Sequence, residues 1–322
     1  MVKLAEIAKA SGFSIPVVSR VLNPNPNIEA KIAPKTRQLI LKTAERMKYR
    51  PNRNAEFLKR GQNPVIGVFL PHFRNGLITD LVMGISESAQ KHGFPVSFSF
   101  ETSFKSYRKF IEETSGRRNC GIITYPYFQL DREATKLIED YRHNGGKLVL
   151  INAANSLYQV PHVDMDEYYG GTLAAAHLLE RGCEEFMIVE GIPERRDGFA
   201  ARLKEAGANC AIYPECVDSY HAIIKQCRAN NRQTGIFTCA DRMAVPLHNM
   251  LLQAGLTPGD RVKLIGYDNM FLTQHLSPPL TTISQPFAEA GSLAMDRLVD
   301  IIYERETESV TLKPELIVRK TT

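Results

Sequence analysis

The residues near the start of the chain that are best placed for chemistry are Ser14, Ile15, Pro16, Ser19 and Arg20. Ser14 suits an N-cap, and Pro16 is tolerated in the first turn of the helix that follows. Val18, Val21 and Leu22 then form an apolar stripe, which leaves Ile15, Pro16, Ser19 and Arg20 on the open side. A preceding helix over LAEIAKA (4–10) puts Leu4, Ile7 and Ala8 on one face, and Gly12 supplies a left-handed stop. Two short helices joined by a glycine-containing turn, with a basic exposed face, are the pattern of a helix-turn-helix that reads DNA. An amphipathic hairpin with no nucleic-acid role is the plainer alternative.

The charge distribution agrees with a polyanionic partner. Residues 1–61 hold 13 Lys and Arg against 4 Asp and Glu, a net of +9, whereas the remaining 261 residues carry a net of −4. The basic head meets the polyanion alone, and the slightly acidic body does not.

Several other chemistries are missing. No G-x-G-x-x-G follows a strand, and there is no Walker A loop, G-x-S-x-G elbow or H-E-x-x-H. The six cysteines (Cys120, Cys183, Cys210, Cys216, Cys227, Cys239) lack C-x-x-C or zinc spacing, so they read as reduced thiols. No metal and no cofactor are expected. No apolar run approaches the ~20 residues of a membrane span. The N-terminus lacks the apolar core of a secretory signal, which predicts a cytoplasmic protein with no membrane partner.

The elements that must position a binding site follow from residue 64 onward. VIGVFLP (65–71), PVSFSF (95–100), CGIITYP (120–126) and KLVLIN (147–152) read as buried strands. Leu77–Lys91, Lys105–Arg117 and Arg132–His143 have helical spacing between them. The pattern restarts with EFMIVEG (185–191), CAIYPE (210–215), TGIFTCA (234–240) and VKLIGYDN (262–269). Alternation of this kind predicts an α/β fold with two doubly wound parallel-sheet subdomains and a ligand cleft between them. In the head, a third helix is expected from about Pro34 to Met47, with Ile40, Leu41 and Ala44 inward. RNAEFLKRG (53–61) is too short to be stable alone and is a candidate segment that folds on gaining partners.

EIAKASGFSIPVVSRVLN (6–23) with TRQLILKTAERMKYRPN (36–52) resembles the DNA-binding head of the LacI/GalR family of bacterial transcriptional regulators. The body resembles the family in order through IGVFLPHFRN (66–75), HLLERG (177–182), RRDGF (195–199), FTCADRMA (237–244), KLIGYDN (263–269), PPLTTISQP (278–286) and PELIVRK (314–320). The resemblance implies an all-α helix-turn-helix domain over 1–49 and a hinge helix and linker over 50–63. A periplasmic-binding-protein-like effector and dimerisation domain would follow over 64–322. Its N-subdomain would span about 64–153 plus 284–310, and its C-subdomain about 154–283 plus 311–322.

By the same resemblance, Ile15, Pro16, Ser19 and Arg20 lie on the recognition helix in the major groove. Arg20 has the chemistry for a bidentate contact to guanine, worth ~1–3 kcal/mol of discrimination. Ser14, Asn23, Thr36, Tyr49 and Asn52 match positions that hold phosphates, although capping and turn formation explain such residues too. Ala55 and Leu58 fall on the hinge, with Leu58 at the position of the leucine wedged into the minor groove; a core role for Leu58 is the alternative. The implied partners are a pseudo-palindromic double-stranded operator, a second copy of the chain in a homodimer (with a tetramer left open) and a small effector of the sugar class.

The matching effector contacts are Phe69, His72, Phe73, Asn152, Arg195 and Asp268. Asp268 has a second reading as a helix cap, and Asp241 is expected to cap the helix that follows it. Ala240, Asn152 and the Asn75–Ile78 turn depart from the family pattern, which predicts a pocket less anionic and less aromatic than a typical sugar site. The chain therefore reads as an effector-controlled DNA-binding regulator, most simply a repressor and not an enzyme. A sugar-binding protein or an enzyme on the same scaffold is the alternative.

Overall fold

The structure is a computed structural model that describes residues 2–22, 32–49, 57, 61–72, 76–128, 131–152, 160–229 and 231–322. In the head, Gly12 takes φ 76° and its N–H returns to the Ala8 carbonyl, which ends α1 (Leu4–Ser11) where the sequence predicts. The Val18 N–H bonds to the Ser14 carbonyl at the start of α2 (Ile15–Leu22). Pro34 opens α3 (Pro34–Arg46). Ile7, Ala8, Val18, Val21, Ile40 and Ala44 close a small core between the three helices. One expectation fails there. Leu41 is 40% exposed, and the inward position belongs to Thr43, whose hydroxyl donates to the Leu39 carbonyl at 2.8 Å.

All eight strands expected in the body form: β1 (Asn63–Leu70), β2 (Val96–Phe100), β3 (Asn119–Thr124), β4 (Leu148–Ile151), β6 (Glu185–Val189), β7 (Cys210–Tyr213), β8 (Thr234–Thr238) and β9 (Val262–Tyr267). The four further strands are β5 (His162–Met165), β10 (Thr281–Ser284), β11 (Val310–Leu312) and β12 (Glu315–Ile317). The helices between them are α4 (Leu77–His92), α5 (Phe104–Gly116), α6 (Arg132–His143), α7 (Glu167–Glu180), α8 (Pro193–Glu205), α9 (Val217–Ala229), α10 (Asp241–Gln253) and α11 (Phe287–Ile302).

Two six-stranded sheets result, ordered β11-β5-β4-β3-β1-β2 and β12-β10-β9-β8-β6-β7. The described pairings are parallel except β10 with β12. β2 and β7 sit at sheet edges and are only partly buried, which corrects the reading of PVSFSF as a buried strand.

The chain divides into two compact units. The first comprises 1–72, 85–162 and 292–309; the second comprises 73–84, 163–291 and 310–322. Phe69, Tyr107, Phe110, Ile122, Ile138 and Leu150 form a core of the first. Phe57 is fully buried there too, edge-on to Phe94 with ring centroids 5.8 Å apart.

In the second unit the sheet is covered on both faces. Met187, Ile223, Ile236, Leu247 and Leu264 pack on one side, and Ala174, Leu178, Phe199, Phe237 and Tyr267 on the other. α7 and α8 pack closely there because both carry glycine at the contact. A Cβ on Gly171 would overlap the Arg195 carbonyl oxygen, and one on Gly198 would overlap the Tyr168 carbonyl oxygen.

Candidate functional site

The head presents the face the sequence predicts. Val18 and Val21 anchor α2 on the helical core, and the geometry of one turn then forces Ile15, Pro16, Ser19 and Arg20 outward. All four are exposed, as is Ser14, and Ile15 keeps 49% of its surface in water. Lys3, Lys9, Lys35, Arg37, Lys42, Arg46 and Lys48 are also exposed on the head.

Thr36 lies half-buried in the first turn of α3, where backbone N–H groups have no helical partner and suit an anion. Tyr49 packs half-buried against the helical core, its N–H bonded to the Ala44 carbonyl, and burial pushes its phenol pKa up. Asn23, Asn52, Ala55 and Leu58 lie outside the described residues.

In the second unit, the sequence candidates Arg195 and Asp268 come together at 3.3 Å. Arg195 stands in the first turn of α8 and is 4% exposed; Asp268 directly follows β9 and is 7% exposed. A residue absent from the sequence candidates completes the pair. Glu167, at the start of α7, grips Arg195 in a two-pronged ion pair, Nε to Oε2 at 2.7 Å and Nη2 to Oε1 at 2.9 Å. Arg195 Nη1 also donates to the Cys239 carbonyl at 2.6 Å, and the guanidinium lies 3.6 Å over the Tyr267 ring. Burial opposes the charge on Arg195, but Glu167 and Asp268 outweigh it and keep the guanidinium ionised.

Asp268 accepts from Gln285 Nε2 at 2.8 Å, and burial pushes its pKa up to about 6 while Arg195 pulls it down. Its partners are side chains on other elements, so the helix-cap reading of Asp268 does not hold. Nor does that of Asp241. Ala240 is the residue at the helix cap, and Asp241 is fully buried, its Oδ2 accepting from the Met270 N–H at 2.8 Å and its Oδ1 from the Thr282 hydroxyl at 2.7 Å. Burial, reinforced by repulsion from Asp268, pushes the Asp241 pKa up to about 8.

Asn269 and Met270, next in the chain to Asp268, line a pocket of about 370 Å³ with Phe271, Gln274, Arg319 and Asp80, all within the second unit. Arg319 is fixed by the Leu280 carbonyl and by Asn269 Oδ1, each at 2.7 Å.

The remaining candidates belong to the first unit or lie outside the described residues. Asn152 sits just past β4 with φ 48°, and its Nδ2 donates to the Tyr125 hydroxyl at 2.9 Å. Tyr125 in turn donates its N–H to the Phe69 carbonyl at 2.8 Å. The ends of β1, β3 and β4 therefore converge, but the Phe69 ring is fully buried, 5.0 Å from Tyr107 and 5.3 Å from Phe110. Its ring belongs to the core and offers no face to a ligand, which corrects the expectation that Phe69 is an effector contact. His72 is exposed, and Phe73 lies outside the described residues.

Glu167 adds a carboxylate to the Arg195 cluster that the expectation of a less anionic pocket does not count. Its only sequence signal is an acid following Asp166 at a helix start, 28 residues before the arginine it meets. Among the described residues no group of histidine, cysteine or carboxylate side chains has the makings of a metal site. No described helix is long and apolar enough to cross a membrane.

A basic three-helix head joined to two parallel α/β units is the build of a DNA-binding regulator with a ligand-binding body. Residues 3–52 match the family described as bacterial regulatory proteins, lacI family, and residues 175–322 match the periplasmic binding protein-like domain. The head is thus of the lacI-family type and residues 175–322 of the periplasmic-binding-protein type, the domain pair of a DNA-binding transcriptional regulator.

Among its relatives, the HTH-type transcriptional repressor PurR of Vibrio campbellii is 25% identical, covering 100% of this chain and 98% of that one. Two solved structures share the fold. The lac repressor dimer bound to operator and the anti-inducer ONPF has a TM-score of 0.70 at 22% identity, covering 99% of this chain and 98% of that one. The transcriptional regulator CelR in complex with cellobiose has a TM-score of 0.69 at 22% identity, with 100% of each chain covered.

Proposed function

We propose that this regulator is a cytoplasmic repressor whose hold on an operator is set by a small polyhydroxylated effector bound at the Arg195–Asp268 cluster. The observation that carries the DNA half is the outward face of α2. Ile15, Pro16, Ser19 and Arg20 are exposed on a helix whose opposite side is locked into the core of the head. Arg20 reads a guanine edge, Ile15 and Pro16 make apolar contacts such as to a thymine methyl, and Ser14, Asn23, Thr36, Tyr49 and Asn52 hold phosphates. Ala55 and Leu58 take the minor groove from a hinge within 50–63, as a homodimer on two half-sites.

The effector domain is 64–322, divided into subdomains of about 64–153 plus 284–310 and about 154–283 plus 311–322. Asn152, His72 and Phe73 would complete the effector contacts. A sugar suits this chemistry, because hydroxyls satisfy carboxylate and amide oxygens together. The repressor PurR and the cellobiose-bound CelR are similar proteins with these two activities. On this reading the site binds without turnover, because the similar proteins are transcriptional regulators.

The test is a gel shift on palindromic sequences upstream of the gene. Salt-sensitive, sequence-preferring binding is expected, and a bound effector should change it through a coupling of about 1–3 kcal/mol. Binding indifferent to sequence, with no response to any ligand that stabilises the protein, sinks the reading.

A further inference from the structure

The Arg195 cluster has more to accept with than to donate with. Arginine has five N–H donors. Glu167 takes one from Nε and one from Nη2, and the Cys239 carbonyl and Asp268 take those of Nη1. One N–H on Nη2 is left, together with the Tyr267 hydroxyl, which is buried beside Glu167. Against them stand the carboxylate oxygens of Glu167 and Asp268 and the Gln285 carbonyl oxygen, which is buried without a hydrogen-bond partner on a side chain 93% removed from solvent. The exposure of the charged groups points the same way. The Arg195 side chain keeps 5% of its surface, Asp268 8% and Glu167 15%, so an approaching molecule meets carboxylate before guanidinium.

We infer that Glu167 is a specificity-determining residue that makes the site a charge filter: it admits neutral polyols and amine-bearing sugars and rejects phosphorylated or carboxylated ones. The inference rests on the reading of Arg195 and Asp268 as effector contacts and adds the class of effector. A lone buried arginine would be a ready site for a phosphate or carboxylate. Here its charge is already shared between two carboxylates, and an anionic ligand would add a third negative charge in a poorly solvated place. Like-charge contacts of that kind weaken binding. An ammonium or hydroxyl instead supplies hydrogens that the unpartnered Gln285 carbonyl oxygen and the remaining lone pairs of Glu167 can accept.

Glu167→Gln and Glu167→Asp separate charge from shape. Calorimetry and thermal shift would compare wild type and both variants with glucose, ribose, glucosamine, glucuronate and the phosphorylated forms of glucose and ribose. Inorganic phosphate, against chloride at equal ionic strength, is an arm that needs no sugar. Wild type and Glu167→Asp should bind only neutral or amine-bearing sugars and gain nothing from phosphate. Glu167→Gln should improve about tenfold or more toward phosphate and acidic sugars and weaken toward glucosamine.

A phosphorylated or carboxylated sugar that binds wild type as well as its neutral parent overturns the filter, as does a phosphate response equal in all three proteins. If no sugar binds any of them while phosphate still distinguishes Glu167→Gln, the sugar-effector reading fails and the filter stands.

Discussion

Arg20 and Arg195 bear the same side chain in opposite circumstances. Arg20 projects from α2 into water and makes no ion pair with any described residue, whereas Arg195 is 4% exposed and bound by Glu167, Asp268, the Cys239 carbonyl and the Tyr267 ring. The first has its donors available for an outside partner. The second has spent nearly all of them inside the protein. A positive charge in the sequence therefore says little about affinity for anions until its internal partners are known; in this chain the head keeps its charge available and the body cancels it.

The comparison can be broken most sharply at Arg195. Arg195→Ala should destabilise the protein by about 3–5 kcal/mol in urea melts, because it strands Glu167 and Asp268 beside each other without their cation. A cost below about 1 kcal/mol would falsify the idea that the cluster is internally satisfied. Next in size is the helix contact that fixes the cluster. Gly171→Ala should cost about 1–3 kcal/mol, since its methyl group displaces the Arg195 backbone itself, and calorimetric melting would read the loss.

Arg20→Ala is the counterpart on the open side. Specific operator binding should weaken by about 1–3 kcal/mol with melting temperature unchanged, and Arg20→Lys should keep non-specific binding while losing discrimination. A shift in melting temperature would mean that Arg20 too has an internal role.

The smallest effect concerns Asp241. Its pKa stands near 8 in the folded protein against an ordinary value of 3.8, so the folded state holds a proton that the unfolded chain releases. The stability this proton contributes is fully present below pH 3.8 and is lost as pH rises toward 8. Melting temperatures of Asp241→Asn, which mimics the neutral acid, should therefore show a flatter decline than wild type between pH 5 and 8. Parallel curves would mean that Asp241 is ionised throughout.

How much of this was legible in the sequence depended on how local each signal was. α2 was legible because Val18, Val21 and Leu22 recur at helical spacing and leave Arg20 no direction but outward. Strands such as VIGVFLP and TGIFTCA announce themselves by continuous apolar character, because a parallel sheet is covered on both faces. The strands His162–Met165, Thr281–Ser284, Val310–Leu312 and Glu315–Ile317 are three or four residues long and mixed in polarity, which gives no periodicity to read.

Leu41 was misassigned because helical spacing admits both it and Thr43, and only the packing of α3 decides between them. Glu167 left no mark because a residue that neutralises a charge far along the chain looks like any acid in a first helical turn. Asp241 misled for the same reason, since a cap and a buried acid share one sequence position. The resemblance puts Phe69 at a ligand, but alternate side chains of a strand turn to opposite faces, and its ring turns to the core.

The strand orders bear on how the protein is made. The first sheet is completed at one edge by Val310–Leu312 and the second by Glu315–Ile317, pieces separated by two residues of chain. During synthesis both sheets wait for the same eight residues, 310–317, to leave the ribosome. Strand partners such as Val163 for Val310 and Thr282 for Ile317 stay uncovered until then. Pairing between strands distant in the chain is slow to form and leaves unpaired edges available to neighbouring chains in the meantime. A nascent chain halted before residue 310 would thus be the most aggregation-prone form of this protein, with its DNA-reading head already folded and its two sheets still open.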